Sequence, residues 1–277
     1  MLRINSFASI RKYPIRIFVY EYMIRIKKPE EIEIMKEGGA RHAYILRELK
    51  KMVAPGVSTQ ELEDKARELI EEGGDKGAFL HYTPRGAKRA YPAALCVSIN
   101  DEIVHGIPNE DVQTLKEGDV VTLDLGLTHK GLITDSAITV AVGEAGDRER
   151  KLIAHTEEAL ARGIKEARGG AHIGDISYAI GSFARSLGYG LPESLAGHGV
   201  GYAVHEDPYV PNEGYKGQGE KLVPGMVIAI EPMLTLGGDK IVLAKDGYTY
   251  KTKDKSIAAH AEHTVAITEG DPIILTC

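Results

Sequence analysis

The segment Leu115-Lys116-Glu117-Gly118-Asp119-Val120 is echoed by Leu222-Val223-Pro224-Gly225-Met226-Val227, and in each case four further residues lead to an acid, Asp124 and Glu231. Downstream, Asp135-Ser136-Ala137-Ile138-Thr139-Val140 is echoed by Glu262-His263-Thr264-Val265-Ala266-Ile267. This internal repeat constrains the fold more than any other feature. Two copies of one unit place equivalent residues at equivalent positions, so Asp124 and Glu231 correspond and each half contributes a second carboxylate at the start of an apolar strand. Fusing the halves about an approximate twofold brings the four acids to a common seam, with helices covering the outside. The alternative is a chance likeness between two Gly-containing strand entries.

The helical portions follow the same plan. Pro29 suits a first helical turn, and Met35, Gly39, His42, Leu46, Leu49 and Met52 recur at helical spacing. Pro55-Gly56 breaks that helix. Ser58 and Glu61 then form a capping box ahead of Leu62, Ala66, Leu69 and Ile70, ending at Gly73-Gly74. From Arg148 the stripe Leu152, Thr156, Ala159, Gly163 and Ala167 runs to Gly169-Gly170. Asp175 is then expected to cap a helix carrying Ile176, Ala179, Ile180, Phe183 and Leu187. The expected class is α+β: two helix-helix-strand halves, about 27–143 and 148–270, related by a pseudo-twofold around a mostly antiparallel sheet. Residues 23–277 are expected to be one domain. Residues 1–22 hold Arg3, Arg11, Lys12 and Arg16 with no acid before Glu21. They read as a dispensable extension or, alternatively, an organellar targeting leader.

Composition narrows the function. With 277 residues, 43% of them hydrophobic, the chain can bury one large core or two modest ones. It has no run of about 18 apolar residues, so no spanning helix is expected. Cys96 and Cys277 are the only cysteines and suggest free thiols in a reducing compartment, hence the cytoplasm. A net charge of -6 without a basic stretch in the body disfavours nucleic acid as a partner. A monomer is the default expectation.

The acids themselves ask for compensation. Val120 to Leu127 and Leu132 to Val142 read as strands, and a turn centred on Thr128-His129-Lys130-Gly131 sets Asp124 directly across from Asp135. Like charges so placed destabilise a sheet, and Asp is a poor strand former. A cation between them answers this; an exposed pair at a sheet edge or a shared proton are the alternatives. His198 lies between Gly197 and Gly199, where backbone can approach closely, and is a further candidate ligand, a satisfied structural histidine being its alternative. Glu231 follows the apolar run Val227-Ile228-Ala229-Ile230 and precedes Pro232, which biases it to extended geometry. Asp124, Asp135, His198, Glu231 and Glu262 together suit divalent cobalt, manganese, iron or zinc, and no cysteine is among them. Two cations roughly 3.5–4 Å apart would activate a water for hydrolysis.

These residues resemble the type I methionine aminopeptidases of the pita-bread fold, which is shared with X-Pro peptidases and creatinase. The likeness covers about residues 23–270. It rests on Cys96-Val97-Ser98-Ile99-Asn100, Val104-His105-Gly106-Ile107-Pro108, Thr134-Asp135, Gly197-His198-Gly199, His205-Glu206, Ile230-Glu231-Pro232-Met233 and Ala261-Glu262-His263-Thr264. The resemblance implies Asp124 on one metal, His198 and Glu231 on the other, and Asp135 and Glu262 as bridges. It implies His105 at the scissile amide, His205 at the substrate carbonyl or developing oxyanion, and Glu231 moving the proton from water to the leaving amine. Tyr91 and Cys96 match the methionine pocket, with ordinary packing as the alternative, and Phe79 or Tyr82 could complete it. Val204 and Lys88 depart from the family's usual aromatics. The stretch between His205 and Glu231 is too short for the helical insertion of the type II enzymes. The implied substrates are nascent polypeptide N-termini, with the ribosome a conceivable contact. An X-Pro aminopeptidase and a catalytically inactive nascent-chain-binding or ribosome-binding homologue are the rival functions.

Overall fold

The structure, a computed structural model, describes residues 24–84 and 86–277; the extension expected over 1–22 lies outside the described residues. The first half runs α1 (Pro29–Met52), α2 (Thr59–Glu72), β1 (Lys76–Gly77), β2 (Leu95–Ile99), β3 (Glu102–Val104), β4 (Val120–His129) and β5 (Leu132–Ala141). The second begins with α3 (Asp147–Glu166), α4 (Ile173–Ser186), β6 (Ala196–Gly199), β7 (Glu206–Pro211), β8 (Val227–Ile230) and β9 (Met233–Thr235). It closes with β10 (Ile241–Leu243), β11 (Tyr250–Thr252), β12 (Ala258–His260), β13 (His263–Ala266) and β14 (Ile273–Ile274).

The helix ends follow local chemistry. Pro29 opens α1, where its missing N–H costs no intrahelical bond. Ser58 caps α2 by accepting from the Glu61 N–H, while the Glu61 carboxylate accepts from the Ser58 N–H at 2.8 Å. One expected cap is displaced: α4 starts at Ile173 with His172 as its cap residue. Asp175 instead sits three residues inside, accepting from the His172 N–H at 2.8 Å. It fills the acidic end of a capping box, a role that the same residue type serves one turn later than a direct cap.

Strands in the two halves are ordered alike. In the first, β4 lies between β2 and β5; in the second, β8 lies between β6 and β13. All of these pairings are antiparallel. The two repeated segments end where β4 and β8 begin, so the repeat marks equivalent strand entries. Each half has its own core. Leu49, Leu62, Ala66, Leu123 and Leu125 are among those filling the first, and Leu152, Ile176, Ile180, Ile228 and Val265 the second. A third cluster bridges them, packing Met35 and Leu132 against Val200, Val227, Ala229 and Ala266.

The β4–β5 register corrects the sequence expectation. Thr128 and His129 continue β4, and only Lys130-Gly131 forms the loop, with φ of 48° and 85°. Positive φ at both central residues matches the twist of a tight two-residue hairpin. Asp124 therefore pairs with Ala137, and Asp135 with Gly126. The two acids are diagonal neighbours on one face rather than direct partners, because the turn is shorter than the four residues expected.

Candidate metal centre

The seam between the halves is fixed by the backbone around the acids. The Thr264 hydroxyl donates to the Asp135 carbonyl at 2.7 Å and accepts from the Asp135 N–H at 2.8 Å. Ser136 Oγ donates to the Glu262 carbonyl at 2.7 Å, and the Glu262 N–H donates to the Ala137 carbonyl at 2.9 Å. These bonds hold Asp135 of one half against Glu262 of the other. Asp124, Asp135, His198, Glu231 and Glu262 all line one cleft, together with His105, His205, Tyr91 and Cys96. Among them, Asp135, His198 and Glu262 each offer a ligand atom, all within 4.8 Å of one another.

His198 reaches this seam because its neighbours are glycines. A Cβ on Gly197 would lie 2.3 Å from the Ala229 carbonyl, and one on Gly199 would lie 2.2 Å from the Asp207 carbonyl. Only hydrogen at those positions lets β6 fit between β8 and β7. The imidazole Nδ1 then donates to the Gly199 carbonyl at 2.9 Å, since a carbonyl can only accept. Its Nε2 presents a lone pair 3.5 Å from Glu231 Oε1 and 4.0 Å from Asp135 Oδ2.

A lone pair facing carboxylates needs positive charge between them, and burial denies that role to the ring. It pushes His198 down to about 3, so the imidazole is neutral. Burial raises all four acids as well: Asp124 to about 7, with Asp135, Glu231 and Glu262 well above the usual carboxylate range. For the last three, the charges of the neighbouring acids add to burial. Asp124 Oδ1, Asp135 Oδ1 and Glu262 Oε1 are buried without a hydrogen-bond partner. Unpaired buried acceptors at this density are costly. Oxygen donors with one outward-facing imidazole lone pair suit a divalent metal ion, and the residues present fit one. Cys96 offers no thiolate, because burial and the neighbouring Asp124 push its thiol well up.

Around the acids stand the groups that would meet a substrate. His105 has φ of 61°, a conformation uncommon outside glycine, and burial holds its ring near pKa 4 and neutral. His205 faces open space, its ring centroid 4.5 Å from that of His198, with Nδ1 2.9 Å from the Tyr82 hydroxyl. Tyr91 is buried, and its hydroxyl donates to the Gly106 carbonyl at 2.8 Å. Phe79, Tyr82 and Tyr248 share its wall of the cleft. Lys88 is exposed and does not line the cleft, and Val204 is buried in the cluster behind it.

Sequence reasoning missed two members of this region. Tyr248 packs edge-on against Tyr91, with centroids 5.1 Å apart, and comes from a loop with no motif to announce it. His260 is 1% exposed, with Nε2 3.5 Å from Glu231 Oε2 and 3.7 Å from Glu262 Oε2. A signal for it existed: His260 and Glu262 stand two apart in an extended run, which turns both to the same face.

The fold and this cleft define a metallopeptidase, and comparison with known proteins agrees: the chain belongs to metallopeptidase family M24, whose model matches residues 33–269. Within that family it is similar to methionine aminopeptidases. The methionine aminopeptidase of Aquifex aeolicus is 47% identical, over 91% of this chain and 98% of that one. The crystal structure of methionine aminopeptidase from Thermotoga maritima superposes with a TM-score of 0.87 at 42% identity, covering 92% of this chain and 99% of that one. A prolidase from Pyrococcus horikoshii has a TM-score of 0.71 at 21% identity. It covers 91% of this chain and 63% of that one, a likeness of fold alone. The architecture is thus the pita-bread fold.

Proposed function

We propose that this chain is a metal-dependent methionyl aminopeptidase that removes the initiator methionine from nascent polypeptides. In this reading Asp124, Asp135, His198, Glu231 and Glu262 hold two divalent cations, of cobalt, manganese, iron or zinc. The observation that carries it is the convergence of four acids, three of them buried and Glu231 half-buried, with the His198 lone pair in a cleft that aromatic rings also line. The relatives from Aquifex aeolicus and Thermotoga maritima, both named methionine aminopeptidase and matched over nearly their whole lengths, support the substrate. Residues 23–277 work as one domain, since the ligand set is drawn from both halves. No helix among the described residues is long and apolar enough to cross a membrane. Action on nascent polypeptides would put the chain in the cytoplasm.

Divalent ions held by these five residues supply Lewis acidity, lowering the pKa of water and polarising a carbonyl. The protein does the rest. Phe79, Tyr82, Tyr91, Cys96 and Tyr248 receive the first side chain; aromatic rings and a protonated thiol suit a soft thioether and exclude water from it. His105, neutral and held by its backbone, donates to or accepts from the scissile amide. His205 donates from Nε2 to the oxygen on which negative charge develops, worth about 10²–10³ in rate for one such donor. Glu231 takes a proton from the attacking water and returns it to the leaving amine.

Release of methionine from Met-Ala-Ser, set against Met-Pro and Ala-Pro peptides in the metal-loaded protein, tests the reading. Cleavage of Met-Ala-Ser with Ala-Pro left intact is expected. Turnover of Ala-Pro without Met-Ala-Ser would move the chain to the X-Pro branch.

A further inference from the structure

His260 lies outside the set of residues expected from sequence and does not line the cleft, yet it faces the centre from behind. Its backbone is clamped: the His260 N–H donates to Thr139 Oγ1 at 2.9 Å, and Thr139 Oγ1 donates to the His260 carbonyl at 2.6 Å. Strand pairing with Met233 fixes the other side. The ring is 1% exposed, and both its nitrogens are buried without a hydrogen-bond partner. Leaving such groups unpaired is costly, so a ring held this firmly has a partner to serve. Nε2 points between two carboxylates, 3.5 Å from Glu231 Oε2 and 3.7 Å from Glu262 Oε2.

The two tautomers of a neutral ring differ sharply in this place. With the proton on Nδ1, a lone pair at Nε2 would face two carboxylate oxygens. With the proton on Nε2, the N–H faces both oxygens, a short approach from a hydrogen bond to either. We propose that His260 is a positioning residue of the metal centre, its Nε2–H shared by Glu231 and Glu262 so that their other oxygens face the ions. This rests on the reading of Glu231 and Glu262 as ligands. Donors behind ligating carboxylates typically matter by about 10- to 100-fold in metal affinity.

The test titrates the metal-free full-length chain with Co²⁺ by calorimetry, comparing wild type with His260→Gln and His260→Met. Gln puts an amide N–H in the same region; Met keeps similar volume without a donor. The Met variant should bind Co²⁺ about 10- to 100-fold more weakly while its metal-free melting temperature stays at or above wild type, and the Gln variant should recover most of the affinity. Equal Co²⁺ affinity in the Met and wild-type chains, or equal weakness in Gln and Met, overturns the role. Nitrogen NMR of the Zn²⁺-loaded wild type tests it without any variant: the His260 ring should carry its proton on Nε2. A proton on Nδ1 overturns the proposal. Wild type that binds neither ion defeats the ligand reading of the whole site, a different failure from insensitivity to residue 260.

Discussion

Tyr82 and His205 meet at 2.9 Å, hydroxyl to Nδ1, and in the proposed mechanism the hydroxyl is the donor. Burial pushes the Tyr82 hydroxyl up, so it keeps its proton and can donate, leaving the His205 proton on Nε2 to serve the substrate. His205→Ala should lower kcat for Met-Ala-Ser by about 10²–10³ with metal content unchanged. Tyr82→Phe should lower kcat by less, leaving KM nearly constant; an unchanged rate in His205→Ala would remove that residue from the chemistry. The acids set the pH response of the metal-free chain. Asp124 moves from an ordinary 3.8 to about 7 on folding, so the folded state binds the extra proton, and stability falls as pH rises through that window. His105, His198 and His260 move down from 6.5 to about 4, 3 and 3, and act oppositely below pH 6.5. Above it only the carboxylates remain, so metal-free melting temperature should drop between pH 6.5 and 8.5, by about 2–4 °C per kcal/mol. Saturating divalent cation should flatten the slope. The convergence of Asp124, Asp135, His198, Glu231 and Glu262 on one cleft is legible in sequence from the internal repeat, the glycines flanking His198 and the proline after Glu231. Tyr248 is not, since a loop tyrosine carries no local signature, and His260 is marked only by its two-residue spacing to Glu262 in an extended run.

At the scale of elements, the hairpin of β4 and β5 shows where sequence stops short. Its strands were plain from alternating apolar residues, but the register hung on whether the loop held two residues or four. Lys130 and Gly131 both at positive φ chose two, moving Asp135 opposite Gly126. β6 has the opposite character: its glycines could be read as close approach, and the 2.3 Å between a Gly197 Cβ and the Ala229 carbonyl shows how close. Gly197→Ala should push β6 from β8, lowering stability by about 1–3 kcal/mol and metal affinity with it. Unaltered melting and binding in that variant would show the strand to be freer than drawn. The loop carrying His205 is tied down by Glu206. One carboxylate oxygen accepts from the Tyr202 and Ala203 N–H groups, at 2.5 and 2.9 Å, and the other pairs with buried Lys27 at 2.7 Å. Lys27→Met leaves the Glu206 charge unpaired and should cost about 3–5 kcal/mol by urea unfolding. A loss under 1 kcal/mol would mean water reaches the pair.

At the scale of the molecule, the two halves meet through the shared cluster of Met35, Leu132, Val200 and Val227 and through the acids themselves. The packing holds the halves together and the carboxylates oppose it, so divalent cations bound at the seam, as proposed, would stabilise the folded form by mass action. The repeat makes this arrangement legible in the sequence, because equivalent strand entries imply equivalent acids. What it left open was the handover between halves, which depends on hydroxyls such as Thr264 and Ser136 that look ordinary in sequence. The most direct test of the account is metal stoichiometry measured together with turnover: the chain is dialysed against chelator, titrated with Co²⁺ or Mn²⁺, and assayed for methionine release from Met-Ala-Ser at each step. The stripped chain should release no methionine, release should recover with added ion up to two per chain at saturation, and Glu262→Gln should show no recovery. Full release by the stripped chain, or undiminished recovery in Glu262→Gln, would contradict the account.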